Sequence, residues 1–431
     1  MKQIKTAVLI ESLDPLFFKP VDKKSCFLTV PGDGLLANLA RQNFSARQII
    51  VYNPGAKKKN PLGSLVQTDL LRQWRSYGIN HFVIPHSFKK EYPAWARKNG
   101  LQLVGPTARH KKLENKIYFD NLLKKFDLPS PPTIGPKDLI GQKAAKGWVA
   151  QEPESYGMFG TKFIKTWPAL KKLFSENRSG RELLVRQYLP GIPLGVGIFM
   201  DRFGAYFFTA LRRQCFQYEQ GWPKHFLGIQ WLSKGFFTAA ASRRIAEVLM
   251  KLAKALAREG FYGLANIDLL IYKNQPFIIE CNPRLSSATP QIFSVPGLTN
   301  HPRPWQFYLN TYYGLPNSKI RARVLPFSKF QGCLLDVDLT EPKKPKRILV
   351  PGVYGWRNNR LVFFGDSVRA YQNDKNSLFL FHELSSRAGV LPAGTTLATV
   401  ISQQPLFNLK TGGLNAKGLK IFNYIKKEYL N

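Results

Sequence analysis

Four residues with the chemistry to bind metal and phosphate lie within one short stretch, NIDLLIYKNQPFIIECNPRLSS (266–287): Asp268, Glu280, Asn282 and Arg284. Two apolar runs flank Lys273–Asn274–Gln275, which reads as a β-hairpin closed by a three-residue loop. In simple register Asp268 falls opposite Glu280, and opposed residues point to one face. Same-face positions recur every second residue, so Asn282 and Arg284 join them while Phe277 and Ile279 turn to a core. Two carboxylates on one face repel by roughly 0.2–1 kcal/mol, so a compensating charge is expected. Mg²⁺ would supply it, being held by one or two carboxylates together with substrate phosphates. Asn282 can add an amide oxygen, and Arg284 can grip a phosphate or carboxylate bidentately. The same spacing also suits a plain charge cluster neutralised by Arg284, because ion-pair networks imitate sites. Spacing alone leaves both readings open.

The elements that would position this hairpin read as follows. SRRIAEVLMKLAKALAREGFYG (242–263) is an amphipathic helix stopped at Gly260. KLENKIYFDNLLKKFDLPSPPTI (112–134) is a helix ended by a proline cluster, with Ile117, Phe119, Leu122, Leu123 and Phe126 as its apolar face. GWVAQEPESYGMFGTKFIKTW reads as strand, glycine loop, strand; the loop amides around Gly157 and Gly160 could lie over phosphates, or form an ordinary hairpin turn. RELLVRQYLPGIPLGVGIFMD is a strand that turns at Pro190–Gly191 into another. Residues 1–110 alternate strands (TAVLI, CFLTV, RQIIVYN, HFVIP, LQLVG) with helical stretches (GLLANLARQ, GSLVQTDLLRQWRSYG, KEYPAWARKNG), which argues a parallel α/β layer. PGDGLLANLA is a weak phosphate-turn signal lacking the full glycine pattern. From 318 onward, RARVLPF, GCLLDVDL, RLVFFGD, SLFLFHEL and TLATVIS read as short strands of a β-rich unit.

Composition narrows the setting. The 431 residues suggest several domains, and 44% hydrophobic content with 31 Phe supports a sizeable core. No apolar run reaches the roughly 20 residues that span a bilayer, and no secretory leader is evident, so a cytoplasmic protein is expected. Cys26, Cys215, Cys281 and Cys333 are far apart, which fits free thiols rather than a disulfide or zinc framework. The net charge of +36 is spread along the chain. Without a nucleic-acid motif, a basic solvated surface outweighs a dedicated nucleic-acid face.

The order of these pieces resembles the ATP-grasp superfamily of carboxylate–amine ligases and carboxylases, over roughly residues 1–300. GLANIDLLIYKNQPFIIECNPRLSS matches the family's acid followed by Glu-x-Asn-x-Arg. ENKIYFDNLLKKFDLPSPPT resembles the helix that opens the ATP-binding unit, LLVRQYLPG the strand and hinge that hold the adenine, and LRRQCF…HFLGIQW the basic segment that serves phosphate or substrate. The resemblance implies an α/β (α+β) ATP-grasp fold. It comprises a pre-ATP-grasp Rossmann-like domain (1–110), an N-terminal ATP-grasp part with a mobile lid (111–190), a C-terminal part with the metal hairpin (191–317) and a β-rich subdomain (318–431). It implies metal ligands Asp268, Glu280 and Asn282. Nucleotide contacts would come from Lys116, Gln151, Gly157, Gly160, Gln187, Tyr188 and Leu189, and catalytic contacts from Arg284 and Arg212.

The chain departs from the family where a second lysine is expected and Gln151 stands, with Lys162 or Lys146 as compensating candidates. It departs again where the hinge acid is replaced by Gln187, and where Pro193 or Leu194 replaces a further acid. The implied activity is ATP- and Mg²⁺-dependent (Mn²⁺ as substitute) joining of a small carboxylate to an amine through an acyl phosphate. The alternatives are a carboxylase using bicarbonate, or a degenerate ATP-binding protein that holds RNA or an acidic partner. A homodimer is the default assembly. Arg213, His225, Ser286, Ser287 and Thr289 remain candidates of weaker standing.

Overall fold

The computed structural model describes residues 4–9, 26–31, 37–38, 40–41, 44–52, 68–84, 91–135, 147–155, 158, 160–176, 182–317, 320–321, 324–326, 329–366, 371, 374–382, 384 and 389–430. The chain begins with the expected parallel layer. β1 (Thr6–Leu9), β2 (Cys26–Pro31), β3 (Ile49–Tyr52), β4 (His81–Val83) and β5 (Gln102–Leu103) form a sheet in the order β3-β2-β1-β4-β5. Its strands are short apolar runs, because a parallel sheet is covered on both faces. Trp74, Phe82 and Tyr92 fill one side of it. The loop in PGDGLLANLA lies outside the described residues.

The helix α1 (Lys116–Lys125) follows, capped by Asn115, whose side chain accepts hydrogen bonds from the amides of Ile117 and Tyr118. Phe119, Leu122 and Leu123 are buried as their helical spacing requires. A three-stranded sheet comes next: β6 (Trp148–Gln151), β7 (Thr161–Ile164) and β8 (Leu184–Gln187), in the order β7-β6-β8.

The rest of the chain builds one large sheet. Its strands are β9 (Ile192–Met200), β10 (Tyr206–Phe208), β11 (Arg212–Glu219), β12 (Trp222–Trp231), β13 (Gly263–Tyr272) and β14 (Gln275–Asn282), then β15 (Cys333–Asp338), β16 (Gly352–Arg357), β17 (Arg360–Gly365), β18 (Ser377–Phe381) and β19 (Thr396–Ser402). The order is β14-β13-β9-β11-β12-β15-β19-β18-β16-β17, with β10 on β9. α2 (Ala239–Arg258) packs on it through Ile245, Leu249, Leu252 and Leu256, each worth about 1.5–3 kcal/mol of burial. α2 starts earlier than its apolar pattern suggests, because the Thr238 hydroxyl caps the Ala241 amide. Gly260 ends it in the left-handed region, φ 73°.

Two expectations for the C-terminal strands need correction. The described part of RARVLPF is not a strand; Arg321 makes only an isolated bridge to Tyr206. β16 was not expected, and its glycines at 352 and 355 explain why GVYGWR lacks a strand's apolar signature. β15 pairs directly with β12, so the C-terminal strands continue the sheet that carries the hairpin.

Candidate active site

The hairpin forms, but by a different route from simple register. β13 and β14 are joined by a two-residue turn, Lys273–Asn274, both left-handed at φ 49° and 60°, the geometry that suits strand twist. Tyr272 therefore pairs with Gln275, and the register stays one residue out as far as Leu269–Ile278. A bulge then absorbs Ile279, and Asp268 again opposes Glu280, with Asn266 opposite Asn282. The bulge also changes which residues reach the core. Pro276, Ile278 and Cys281 are buried, whereas Phe277 and Ile279, expected in the core, are only partly covered.

One row of residues runs across the sheet through Asp268. Glu280, Asp268, Gly195 and Arg212 are successive partners on β14, β13, β9 and β11, and Trp231 on β12 follows. Gly195 has no side chain, so the Arg212 guanidinium lies across it; a Cβ there would come 2.9 Å from Arg212 Nε. Arg212 Nη2 reaches Asn266 Oδ1 at 3.0 Å, its cation lies 5.7 Å from the Trp231 ring, and its Nη1 is buried without a partner. Gln214 Nε2 donates to Asp268 Oδ1 at 2.8 Å. On the other side Lys116, itself buried, stands 3.4 Å from Glu280 Oε2 and donates to the Ser155 carbonyl.

These contacts define the electrostatics. Burial pushes the Asp268 carboxyl up and Glu280 pushes it further, against the pull of Arg212, the Gln214 hydrogen bond and Lys116. Burial pushes the Arg212 guanidinium down to about 10, opposed by Asp268. Two acids and several cations thus share one water-poor site, the arrangement expected where charge is to be bound.

A cleft of about 420 Å³ opens over this row. It is bounded by Gln151, Thr161 and Phe163 from the small sheet, by the linker Gln187–Tyr188–Leu189, and by the hairpin. Lys116, Gln151, Gln187, Tyr188, Leu189, Arg212, Asp268, Glu280, Asn282 and Arg284 all line it, as do Ser286 and Ser287. Gly157 and Lys146 lie outside the described residues. Gly160 is left-handed, φ 72°, and its carbonyl accepts from Glu152 N at 2.9 Å; it is not a lining residue, although Ser155, Met158 and Thr161 are.

Other candidates fall elsewhere. Lys162 is exposed and outside the cleft lining, so it does not replace the charge missing at Gln151, whose amide faces Thr161 Oγ1 at 3.5 Å. Arg213 faces neither cleft nor solvent; it is buried against the Leu409 carbonyl and Gly412. His225 is not a lining residue. Thr289 Oγ1 accepts from Ser286 N at 2.7 Å, a local turn rather than a substrate contact. Pro193 lines the cleft and Leu194 is in the core. Arg284 is held by Glu114, Nε to Oε1 3.3 Å.

Sequence reasoning missed four residues here. Arg186 is buried, bonds Asp120 at 2.8 Å, donates to the Ile279 carbonyl at 2.9 Å and lines the cleft. Asn266, Gln214 and Gly195 complete the row. Alternation along LRRQCFQY was the available signal, since it places Arg212, Gln214, Phe216 and Tyr218 on one face.

The donor set suits a hard divalent ion: two carboxylates and an amide, all oxygen donors on adjoining positions. The Asn282 side chain makes no hydrogen bond among the described residues, which leaves its oxygen free to coordinate. Those residues hold no cluster of three or more His, Cys, Asp or Glu, so a metal here would depend on ligand oxygens as well.

Residues 113–288 match the family model of the ATP-grasp domain. Those residues form an ATP-grasp domain, and the chain has the ATP-grasp fold. Among solved structures it is similar to the Hydrogenobacter thermophilus 2-oxoglutarate carboxylase biotin carboxylase domain dimer in complex with MgADP, ADP and bicarbonate. The TM-score is 0.62 at 13% identity, covering 94% of this chain and 87% of that one. It is similar also to the Campylobacter jejuni biotin carboxylase–β-γ-ATP complex, TM-score 0.60 at 13% identity, covering 93% and 87%. At such identity the likeness establishes the fold alone. No curated protein sequence matches the chain. No helix among the described residues is long and apolar enough to cross a membrane.

Proposed function

We propose that the protein is an ATP-dependent carboxylate–amine ligase that releases ADP and phosphate. The observation that carries this reading is the opposition of Asp268 and Glu280 at the floor of a cleft that also receives Lys116, Arg212 and Arg284. ATP and an incoming carboxylate are both anionic, so their approach is repulsive until charge is neutralised, and phosphoryl transfer is chiefly a matter of positioning and neutralisation. Lys116 and Gln151 hold the phosphate chain, and Gln187, Tyr188 and Leu189 border the base. Asp268, Glu280 and Asn282 would hold Mg²⁺, or Mn²⁺ in its place, which when bound neutralises phosphate charge.

In this reading Arg212 and Arg284 orient the acid. Its carboxylate oxygen bonds to the γ-phosphorus as the bond from phosphorus to the ADP oxygen breaks. The amine nitrogen then attacks the acyl carbon, inorganic phosphate departs and the amine loses a proton. The acyl phosphate must be kept from water. The small sheet β6–β8 with its glycine loop is the lid of this proposal, and its contacts with the β11–β12 tip support that role. Phe163 of β7 meets Trp222 with ring centroids 5.7 Å apart, and Lys165, just after β7, bonds Gln220 at 2.8 Å.

A second reading has bicarbonate as the acid. The likeness to biotin carboxylases along nearly the whole chain favours it. Phosphate release from MgATP separates the two. The ligase needs both an organic acid and an amine, whereas the carboxylase responds to bicarbonate without amine. No phosphate release with any acid, amine or bicarbonate, together with salt-sensitive RNA retention, would leave a degenerate ATP-binding protein, for which Gln151 and Gln187 speak.

A further inference from the structure

Beyond Arg212 and Gln214 the floor of the cleft changes character. The same face of β11 continues with Phe216 and Tyr218, and β12 adds Pro223, Phe226 and Ile229. Gln214 pairs with Ile229, and Phe216 pairs with Phe226 with ring centroids 5.6 Å apart. Across this strip neither strand presents an acid or a lysine to the cleft. At the inner part of the strip, against the buried Ile229 and half-buried Phe226, a charged substituent would find no partner, at the cost that attends an unpaired charge out of water. At the inner end of the strip is Arg212, buried, with Nη1 lacking a partner. A buried guanidinium donor left unmade is costly, and a carboxylate is its natural complement. Ala288 and Leu269 add further apolar lining to the cleft.

We infer that the acid substrate is a monocarboxylate with an apolar body, its carboxyl group on Arg212 and its hydrocarbon or aryl portion on Phe216, Phe226 and Ile229. The inference rests on the ligase reading and sharpens it. An α-amino acid is disfavoured as the acid, because among the described residues the carboxylates lining the cleft are Asp268 and Glu280, those assigned to metal. A dicarboxylate is disfavoured because its second charge would lie on the aromatic strip.

The test uses the full chain with MgATP and hydroxylamine, which traps an acyl phosphate as a hydroxamate. The probes are phenylacetate, hexanoate, succinate and L-glutamate. The expected result is hydroxamate from phenylacetate or hexanoate with kcat/KM at least about tenfold above succinate and glutamate, the scale on which apolar pockets discriminate. Phe226→Ala should raise KM for the favoured acid by about tenfold while KM for ATP stays within about twofold. Preference for succinate or glutamate overturns the inference and leaves the ligase reading standing. So does an equal loss of ATP and acid affinity in Phe226→Ala, which would assign the strip to the nucleotide. Hydroxamate from none of the four, with MgATP still raising Tm, also overturns it. A chain that MgATP does not stabilise at all would remove the ligase reading beneath it.

Discussion

Two aspartates of the large sheet, Asp268 on β13 and Asp336 on β15, are both pushed above the ordinary carboxylate range by burial, and they keep different company. Asp268 faces a second acid, a donor amide and the cations Arg212 and Lys116, all at the floor of a cleft. Asp336 accepts one hydrogen bond from Thr399 Oγ1 at 2.7 Å, has Asp338 as its charged neighbour, and lies outside the cleft. A displaced pKa therefore does not make a site. What separates the two is convergence: β11, β14 and α1 bring groups of both signs to Asp268, whereas Asp336 is satisfied within one strand pair.

The sharpest way to break this contrast is to neutralise each acid. Asp268→Asn and Glu280→Gln are expected to lower ATP-dependent phosphate release by roughly 10²–10³-fold, the scale of losing one preorganised charge contact. Asp336→Asn is expected to leave turnover unchanged. If both classes of variant turn over at the wild-type rate, the hairpin is a charge cluster and nothing more.

A second contrast concerns charge that serves structure inside the site. Arg186 lines the cleft yet is already committed to Asp120. Removing one member of a buried pair strands the other, so Arg186→Met should cost about 3–5 kcal/mol in denaturant unfolding. The pair also sets an acid limit. Burial raises the Asp120 carboxyl, but Arg186 and Lys124 outweigh it and hold the group below its ordinary value. A lowered folded pKa gives stability that is complete above the unfolded value of about 3.9 and is lost as pH falls through the folded one. Wild type should therefore lose stability below about pH 4, and the Arg186→Met variant should show less of that acid loss. An identical acid limb in both proteins would remove Arg186 as its cause.

The parts of this site that follow local rules were legible in the sequence, and the parts set by strand neighbours were not. Asp268, Glu280 and Asn282 could be placed together because a hairpin pairs residues near in sequence. Even so, the agreement came from two compensating departures, a tighter turn and a bulge at Ile279. Lys116 was reached through the likeness of ENKIYFDNLLKKFDLPSPPT to the helix that opens the ATP-binding unit. Arg186 was not, because its meaning depends on Asp120, 66 residues away, and one sequence does not announce that pairing. Gly195 likewise reads as a weak strand residue until Arg212 is seen lying over it. The continuity of β12 with β15 was hidden for the same reason, since it joins strands separated by α2 and the hairpin.

The smallest expected effect tests Asp336 directly. Burial holds its carboxyl up at about 7, with Asp338 adding to the rise and Thr399 opposing it. A group whose folded pKa exceeds its unfolded value favours the folded state most below the unfolded value, about 3.9, and that contribution disappears as pH rises through the folded one. Asn cannot ionise, yet its oxygen can still accept from Thr399. Asp336→Asn should therefore match wild type near pH 4 and exceed it above pH 7, by a few degrees in Tm for a group only partly covered. Thermal unfolding at pH 5 and pH 8 reads the difference directly. A gain that is the same at both pH values would mean that the strand pair, and not the charge, sets the stability there. The company an acid keeps would then have to be judged from hydrogen bonds alone.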